Sequence, residues 1–234
     1  MAKYQGKDYT YLIWKDPVSR RQYQVGILSK NDHYEFKYDF EIHDAIEKGF
    51  KLLVAFDDIA ITYRNDIFFP AFASRIPDRR RKDIQSILNK YGLTNYDEYE
   101  LLKKSGGKLP IDDLLFIDPI IVSDDDNDET IEREFFIAGP RHYLGCEGKN
   151  CNYGLKIEKD DELFLEFEPE NEKDKNAIKV IDKDNLIVGY IPRYYNKELS
   201  ELIKKGFNCS LRVTEYNKDK NCNECLKVKI TIHK

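Results

Sequence analysis

The sequence predicts an α+β protein of two units: a small α+β domain over residues 1–122 and a mostly β domain over residues 131–234, joined by an acidic linker at 123–130. Three observations predict it. Aromatic and β-branched residues gather in strand-length runs in both halves of the chain. Apolar residues take up helical spacing in the middle of the first half. Asp124, Asp125, Asp126, Asp128 and Glu129 crowd into one segment with no apolar side chain. Such a run repels itself and buries nothing, which suits a solvated connector. It also accounts for the formal net charge of −5, because the stretches on either side are balanced.

The chain has 234 residues, 41% of them hydrophobic and 13% aromatic, enough to build real cores and to exclude a wholly disordered protein. No apolar run approaches the roughly 18 residues of a membrane helix. Residues 1–14 lack the apolar stretch and small-residue cleavage site of a secretion signal, so a soluble, cytoplasmic protein is expected. The near-balance of 38 basic and 43 acidic groups argues against bulk, non-specific binding to nucleic acid. Any such contact must be local.

Taking the elements in order, residues 9–14, 21–28 and 33–39 read as three strands of a meander separated by turn formers, with Trp14 in the core. After residue 61 the character changes. Ile84, Ile87, Leu88 and Tyr91 fall on one helical face, with Gly92 as the stop. A second helix is marked by Asn95 as candidate N-cap, Glu98 three residues on, and Gly106 and Gly107 at its end. A strand follows at 112–117. The second unit opens with a strand within 133–143 and closes with strands at 210–216 and 226–232.

The order of elements over residues 10–118 resembles the N-terminal subdomain of HipA-type serine/threonine kinases. The most specific part is the phenylalanine-rich segment leading through Ile76, Pro77 and Asp78 into a helix, followed by a helix ending in glycines and a final strand. In that family the subdomain packs on the kinase core, and in three-component toxin–antitoxin systems a similar piece stands alone. The catalytic core is far longer than the rest of this chain, so the resemblance implies a HipA-like kinase core as a partner, bound through residues 1–122. Within this unit Arg75, Arg79, Arg80, Arg81 and Lys82 form a basic run, read as a solvated face punctuated by Asp78 and Asp83, with a phosphate grip as the alternative.

In the second unit the run Glu168–Val180, then Val188, Gly189, Tyr190, Ile191 and Pro192, with Gly139, Arg141 and Tyr143 upstream, resembles the HIRAN domain over residues 134 to about 232. The resemblance implies an OB-like, partly open β-barrel with one helix that binds the free 3′ end of single-stranded DNA. The chemistry of the residues fits. A 3′-hydroxyl donates and an ionised Asp174 only accepts, so the pair would tell an end from a continuing strand. Asn176 offers a donor and an acceptor beside it, or serves the turn between two strands. Tyr143 and Tyr190 offer stacking faces, and Arg141, Lys173 and Arg193 offer phosphate contacts. His142 and Lys173 stand where the family often has aromatic residues.

Cys146, Cys151, Cys222 and Cys225 form two short-spaced pairs in turn-rich sequence. That spacing suits one closed structural zinc, with reduced thiols as the alternative; Cys209 begins an apolar strand. Among enzyme signatures, there is no phosphate-binding glycine loop and no His-Glu-x-x-His helix, and the four histidines sit in unrelated contexts. The expected class is therefore a non-enzymatic binding or regulatory protein. Two other readings stay open: a protein-binding adaptor with a structural zinc, and a nuclease built on Asp174 and its neighbouring carboxylates.

Overall fold

The alternating runs near the N-terminus form an antiparallel meander in the computed structural model, which describes residues 8–39, 41–121, 130–143, 157–172, 174–220, 222 and 224–233. The acidic run Asp124–Glu129 lies outside the described residues. The chain divides into two units, Met1–Pro119 and Ile120–Lys234. In the first, β1 (Asp8–Lys15), β2 (Gln22–Lys30) and β3 (Tyr34–Tyr38) pair in succession. After α1 (Ile42–Glu47), β4 (Tyr63–Asn65) adds to the far edge beside β3. Three short helices follow, α2 (Pro70–Ala73), α3 (Ile84–Lys90) and α4 (Glu98–Ser105), and β5 (Leu114–Ile117) then returns beside β1. The resulting order is β4-β3-β2-β1-β5.

The core of this unit is aromatic. Phe36 lies 4.5 Å from Phe56 between ring centres, and Phe56 stacks on Phe72 at 5.0 Å, with Phe116 edge-on to Phe72. Each such buried ring stabilises the fold by roughly 1.5–3 kcal/mol. Trp14 is buried as expected, against Tyr23 and Phe50. Gly26 is required by the close approach of the Phe36 ring, which a Cβ there would meet at 2.7 Å.

The helix ends follow the sequence with one correction. Gly92 takes φ +68° after α3, and Leu93 N–H bonds back to the Leu88 carbonyl at 2.9 Å. Gly106 caps α4 in the left-handed region, as expected. The N-cap of α4, however, is Asp97 and not Asn95. Asp97 has the extended backbone a cap needs, and its carboxylate accepts the Glu100 N–H at 3.0 Å, whereas Asn95 lies two residues too early to reach that turn. Two arginines of the basic run pair with the aspartates that punctuate it, and a third reaches outside it. Arg80 bonds Asp78 and Arg81 bonds Asp83 on the surface, while the Arg75 guanidinium is buried and grips Asp112 through two hydrogen bonds of 2.7 and 2.8 Å.

In the second unit β6 (Ile131–Phe136) leads into a 3-10 turn at Pro140–His142. Then come β7 (Glu162–Phe167), β8 (Ile178–Ile181), β9 (Ile187–Tyr190), α5 (Arg193–Lys204), β10 (Asn208–Tyr216) and β11 (Leu226–His233). The sheet runs β6-β11-β10-β7-β8-β9. In β11 the burial alternates strictly, with Leu226, Val228, Ile230 and Ile232 inward, the mark of a strand with one buried face. Strand β7 divides its pairing, meeting β10 at Glu162 and Leu163 and β8 from Phe164 to Phe167, so the sheet curls there.

The two edges of the curled sheet then meet. Just past β6, Ala138 pairs with Tyr190 at the end of β9 through reciprocal hydrogen bonds of 2.8 and 2.9 Å. A single bridge in place of a full ladder makes the barrel mostly β and partly open. Gly189 permits the closure, because a Cβ there would lie 2.4 Å from Ile137 Cγ2 and 2.7 Å from the Ala138 carbonyl oxygen. Helix α5 buries Tyr195, Leu199 and Leu202 at helical spacing, with the Tyr195 ring 5.3 Å from Phe135 of β6.

Candidate nucleic-acid interface

The loop from β7 to β8 is a sequence of turns that dictates where its side chains point. Asn171 Nδ2 donates to Glu168 Oε2 at 2.6 Å, and its Oδ1 accepts the Asp174 N–H at 3.1 Å. Asp174 Oδ1 in turn accepts the Asn176 N–H at 2.9 Å, and the Ala177 N–H bonds the Asp174 carbonyl. These are Asx turns, in which short polar side chains cap backbone donors that would otherwise face water. Pro169, Glu170, Asn171, Glu172, Asp174 and Lys175 line an open groove of about 380 Å³.

The barrel closure carries a second group to the same loop. The Ala138–Tyr190 bridge and the left-handed Gly139 set the 3-10 turn beside β9, so Tyr143 and Tyr190 face each other with ring centres 5.8 Å apart at 52°. Tyr143 Oη donates to Tyr190 Oη at 3.4 Å, and Tyr190 Oη donates to Glu168 Oε2 at 2.9 Å. Glu168 Oε1 faces Lys179 Nζ of β8 at 3.2 Å. Asn171 and Tyr190, with Lys179 behind them, hold the Glu168 carboxyl below its usual range. Burial, followed by the contacts with Tyr143 and Glu168, raises the Tyr190 phenol.

The third side of the site is α5. Asn196, 4% exposed, donates its Nδ2 to Asp174 Oδ2 at 2.8 Å. One connected chain of hydrogen bonds therefore runs Tyr143, Tyr190, Glu168, Asn171, Asp174, Asn196, drawing on the 3-10 turn, β9, the β7–β8 loop and α5. Asp174 uses one lone pair on each oxygen for these donors and stays half-exposed, so it can still accept from a ligand.

Of the residues expected to bind DNA, the structure brings Tyr143, Asp174 and Tyr190 onto this network. Asn176 joins it through its main-chain N–H, in the turn. Arg141 is exposed on the 3-10 turn, its Nε 3.2 Å from His142 Nε2, and Arg193 opens α5 directly after Pro192. Lys173 lies outside the described residues. Glu168, Asn171 and Lys179 belong to the recognised run, but spacing gives no sign that they cooperate. Asn196 carries no motif signal, since only the fold brings α5 to the loop.

The expected zinc ligands divide. Cys146 and Cys151 lie outside the described residues. Cys222 and Cys225 share the β10–β11 turn, with Cys225 buried and its Sγ 3.6 Å from the Cys222 carbonyl oxygen. Among the described residues, no three or more His, Cys, Asp or Glu side chains gather as a metal site. Cys209 is half-buried in β10, and burial pushes its thiol up to about 11. No helix among the described residues is long and apolar enough to cross a membrane.

The family model of the HIRAN domain matches residues 132–233. A stretch of 114 residues, 49% of this chain, is 33% identical to the Fanconi-associated nuclease 1 homolog of Arabidopsis thaliana, of which it spans 11%. Two solved structures are similar at low overlap. The HIRAN domain of human HLTF is 18% identical, with a TM-score of 0.33, covering 44% of this chain and 74% of that one. A protein from Lactobacillus plantarum is 21% identical, with a TM-score of 0.35, covering 46% and 99%. All of strands β6 to β11 but Ile131, the closing bridge and the Glu168–Val180 run fall within residues 132–233, the stretch that the HIRAN domain model matches.

Proposed function

We propose that the second unit is a non-catalytic reader of single-stranded DNA 3′ ends. The observation that carries this reading is the half-exposed Asp174 carboxylate, fixed on both oxygens by the Asn176 N–H and the Asn196 amide and linked through Asn171 and Glu168 to the Tyr143–Tyr190 pair. A rigid anionic acceptor beside aromatic faces suits a terminal sugar whose hydroxyl donates and whose base stacks. Arg141 and Arg193 flank the site and supply charge for the preceding phosphates.

Glu168, the other half-buried carboxylate of the network, is already engaged by Asn171, Tyr190 and Lys179. That commits Glu168 to holding the site together, and a nuclease would have to draw instead on the exposed Glu170 and Glu172 beside Asp174 in the groove. The relative from Arabidopsis is named a nuclease, but the matched stretch is a small part of it.

For the first unit, the proposal is a docking piece for a HipA-like kinase core, which would make the chain an antitoxin or accessory component of a toxin–antitoxin system. Its support is the element order and the phenylalanine-rich segment running into α3. The end-reading claim is tested by competition between a linear single strand and a covalently closed circle of the same sequence. The linear strand should displace a labelled probe at much lower concentration. Equal competition by the circle would leave a general strand binder, and no competition by either would leave a protein-binding module.

A further inference from the structure

We infer that Asn196 is a positioning residue of the end-reading site, holding the Asp174 carboxylate in the orientation that meets a 3′-hydroxyl; this rests on the reading that Asp174 receives that hydroxyl. The β7–β8 loop by itself fixes the Asp174 backbone through Asn171 and one carboxylate oxygen through Asn176. The other oxygen is held from a different element, by the Asn196 amide of α5 at 2.8 Å. Without that bond the carboxylate would be tied only to its own turn and would follow the turn's motion.

The polarity of the contact follows from its chemistry. A carboxylate only accepts, so the NH2 of the Asn196 amide must face Asp174, and the amide oxygen is turned away from it. That oxygen is buried and meets no hydrogen-bond partner among the described residues. A buried acceptor without a partner is destabilising, and native proteins rarely keep one without a reason. The same helix buries Tyr195, Leu199 and Leu202 along with Ser200, so a leucine at this position would extend its apolar face and remove the orphan atom. The amide therefore works against the packing of its own helix, and what it gains is the bond to Asp174. Glu168 shows the same design elsewhere in the site, orienting Tyr190 and Asn171 through a carboxylate that is itself fully engaged.

The experiment uses the full chain and two labelled oligonucleotides that differ only in ending with a 3′-hydroxyl or a 3′-phosphate. Affinities and melting temperatures are measured for wild type, Asn196→Leu and Asn196→Ala. Wild type should prefer the hydroxyl end. Both variants should lose about tenfold of that preference, the worth of a charge-assisted hydrogen bond. Asn196→Leu should melt no lower than wild type. Variants that keep the wild-type ratio would overturn the positioning role. A parallel loss of affinity for both strands together with a fall in melting temperature would make Asn196 a structural residue and overturn it equally. If wild type itself does not distinguish the two ends, the reading beneath the inference fails.

Discussion

Two buried polar side chains of the first unit show how single residues hold this fold. The Tyr38 hydroxyl donates to the Phe56 carbonyl at 2.7 Å and accepts the Leu53 N–H at 2.9 Å, tying the segment after α1 to the sheet. Burial pushes its phenol up to about 12. The folded state thus holds this proton more tightly than the unfolded chain, whose tyrosines titrate near 10. Its contribution to stability is full below about pH 10 and is lost as the pH rises toward 12. Tyr38→Phe should cost about 1–3 kcal/mol at pH 7 by stranding both backbone groups. It should also flatten part of the alkaline decline, with Tyr99 and Tyr194, raised chiefly by burial, and Tyr190 among the phenols that keep the rest. Denaturant titrations at pH 7 and pH 11 check both effects, and an alkaline decline as steep in the variant would count against Tyr38. Arg75 contrasts with its neighbours in the basic run. Arg75→Ala should destabilise by about 3–5 kcal/mol because Asp112 loses a buried bidentate partner, while Arg80→Ala, at a solvent-exposed pair, should leave the melting temperature nearly unchanged. Equal effects of the two in thermal melts would show that burial does not separate them.

At the scale of elements, the barrel closure is the feature on which the site depends. It is made by one bridge across Gly189, so Gly189→Ala should force the Ile137 side chain and Ala138 backbone apart. We expect a cost of about 1–3 kcal/mol in stability and weaker DNA binding, since the Tyr143–Tyr190 pair rests on that bridge. A variant with wild-type melting and wild-type affinity would mean the edges are free to part. The β10–β11 turn is the second such element. If Cys222 and Cys225 join Cys146 and Cys151 around a zinc, purified protein should contain about one equivalent of metal, and Cys222→Ser should release it and lower the melting temperature. Metal-free protein with unchanged melting after substitution would leave the thiols reduced and unligated. Much of this level was legible in the sequence because it is local: the alternation in β11, the spacing of Ile84, Ile87 and Leu88, and the glycine stops of α3 and α4 each follow from one short stretch. The cap of α4 was misplaced by two residues because Asn95 and Asp97 are both good capping residues, and only backbone geometry separates them.

For the whole molecule, the sequence sets two units apart by the acidic run at 123–130, and the HIRAN-like half was legible because its motifs follow one another in order along the chain. The candidate site was legible only in part. Asp174, Tyr143 and Tyr190 belong to the motifs, but the bond from Asn196 joins residues 22 apart through a helix and a curled sheet, which no spacing rule reports. The proposed kinase partner belongs to this scale as well. The full chain should co-purify with a cognate HipA-like kinase core, and failure to do so when both are produced together would remove the toxin–antitoxin role without touching the DNA reading. The most direct measurement for that reading is the affinity of wild type and Asp174→Ala for one single strand ending in either a 3′-hydroxyl or a 3′-phosphate. A carboxylate that accepts from the hydroxyl repels the phosphate, so wild type should bind the hydroxyl end about tenfold or more tightly, and Asp174→Ala should bind both ends alike. Equal affinities in wild type, or a preference that survives in Asp174→Ala, would contradict it.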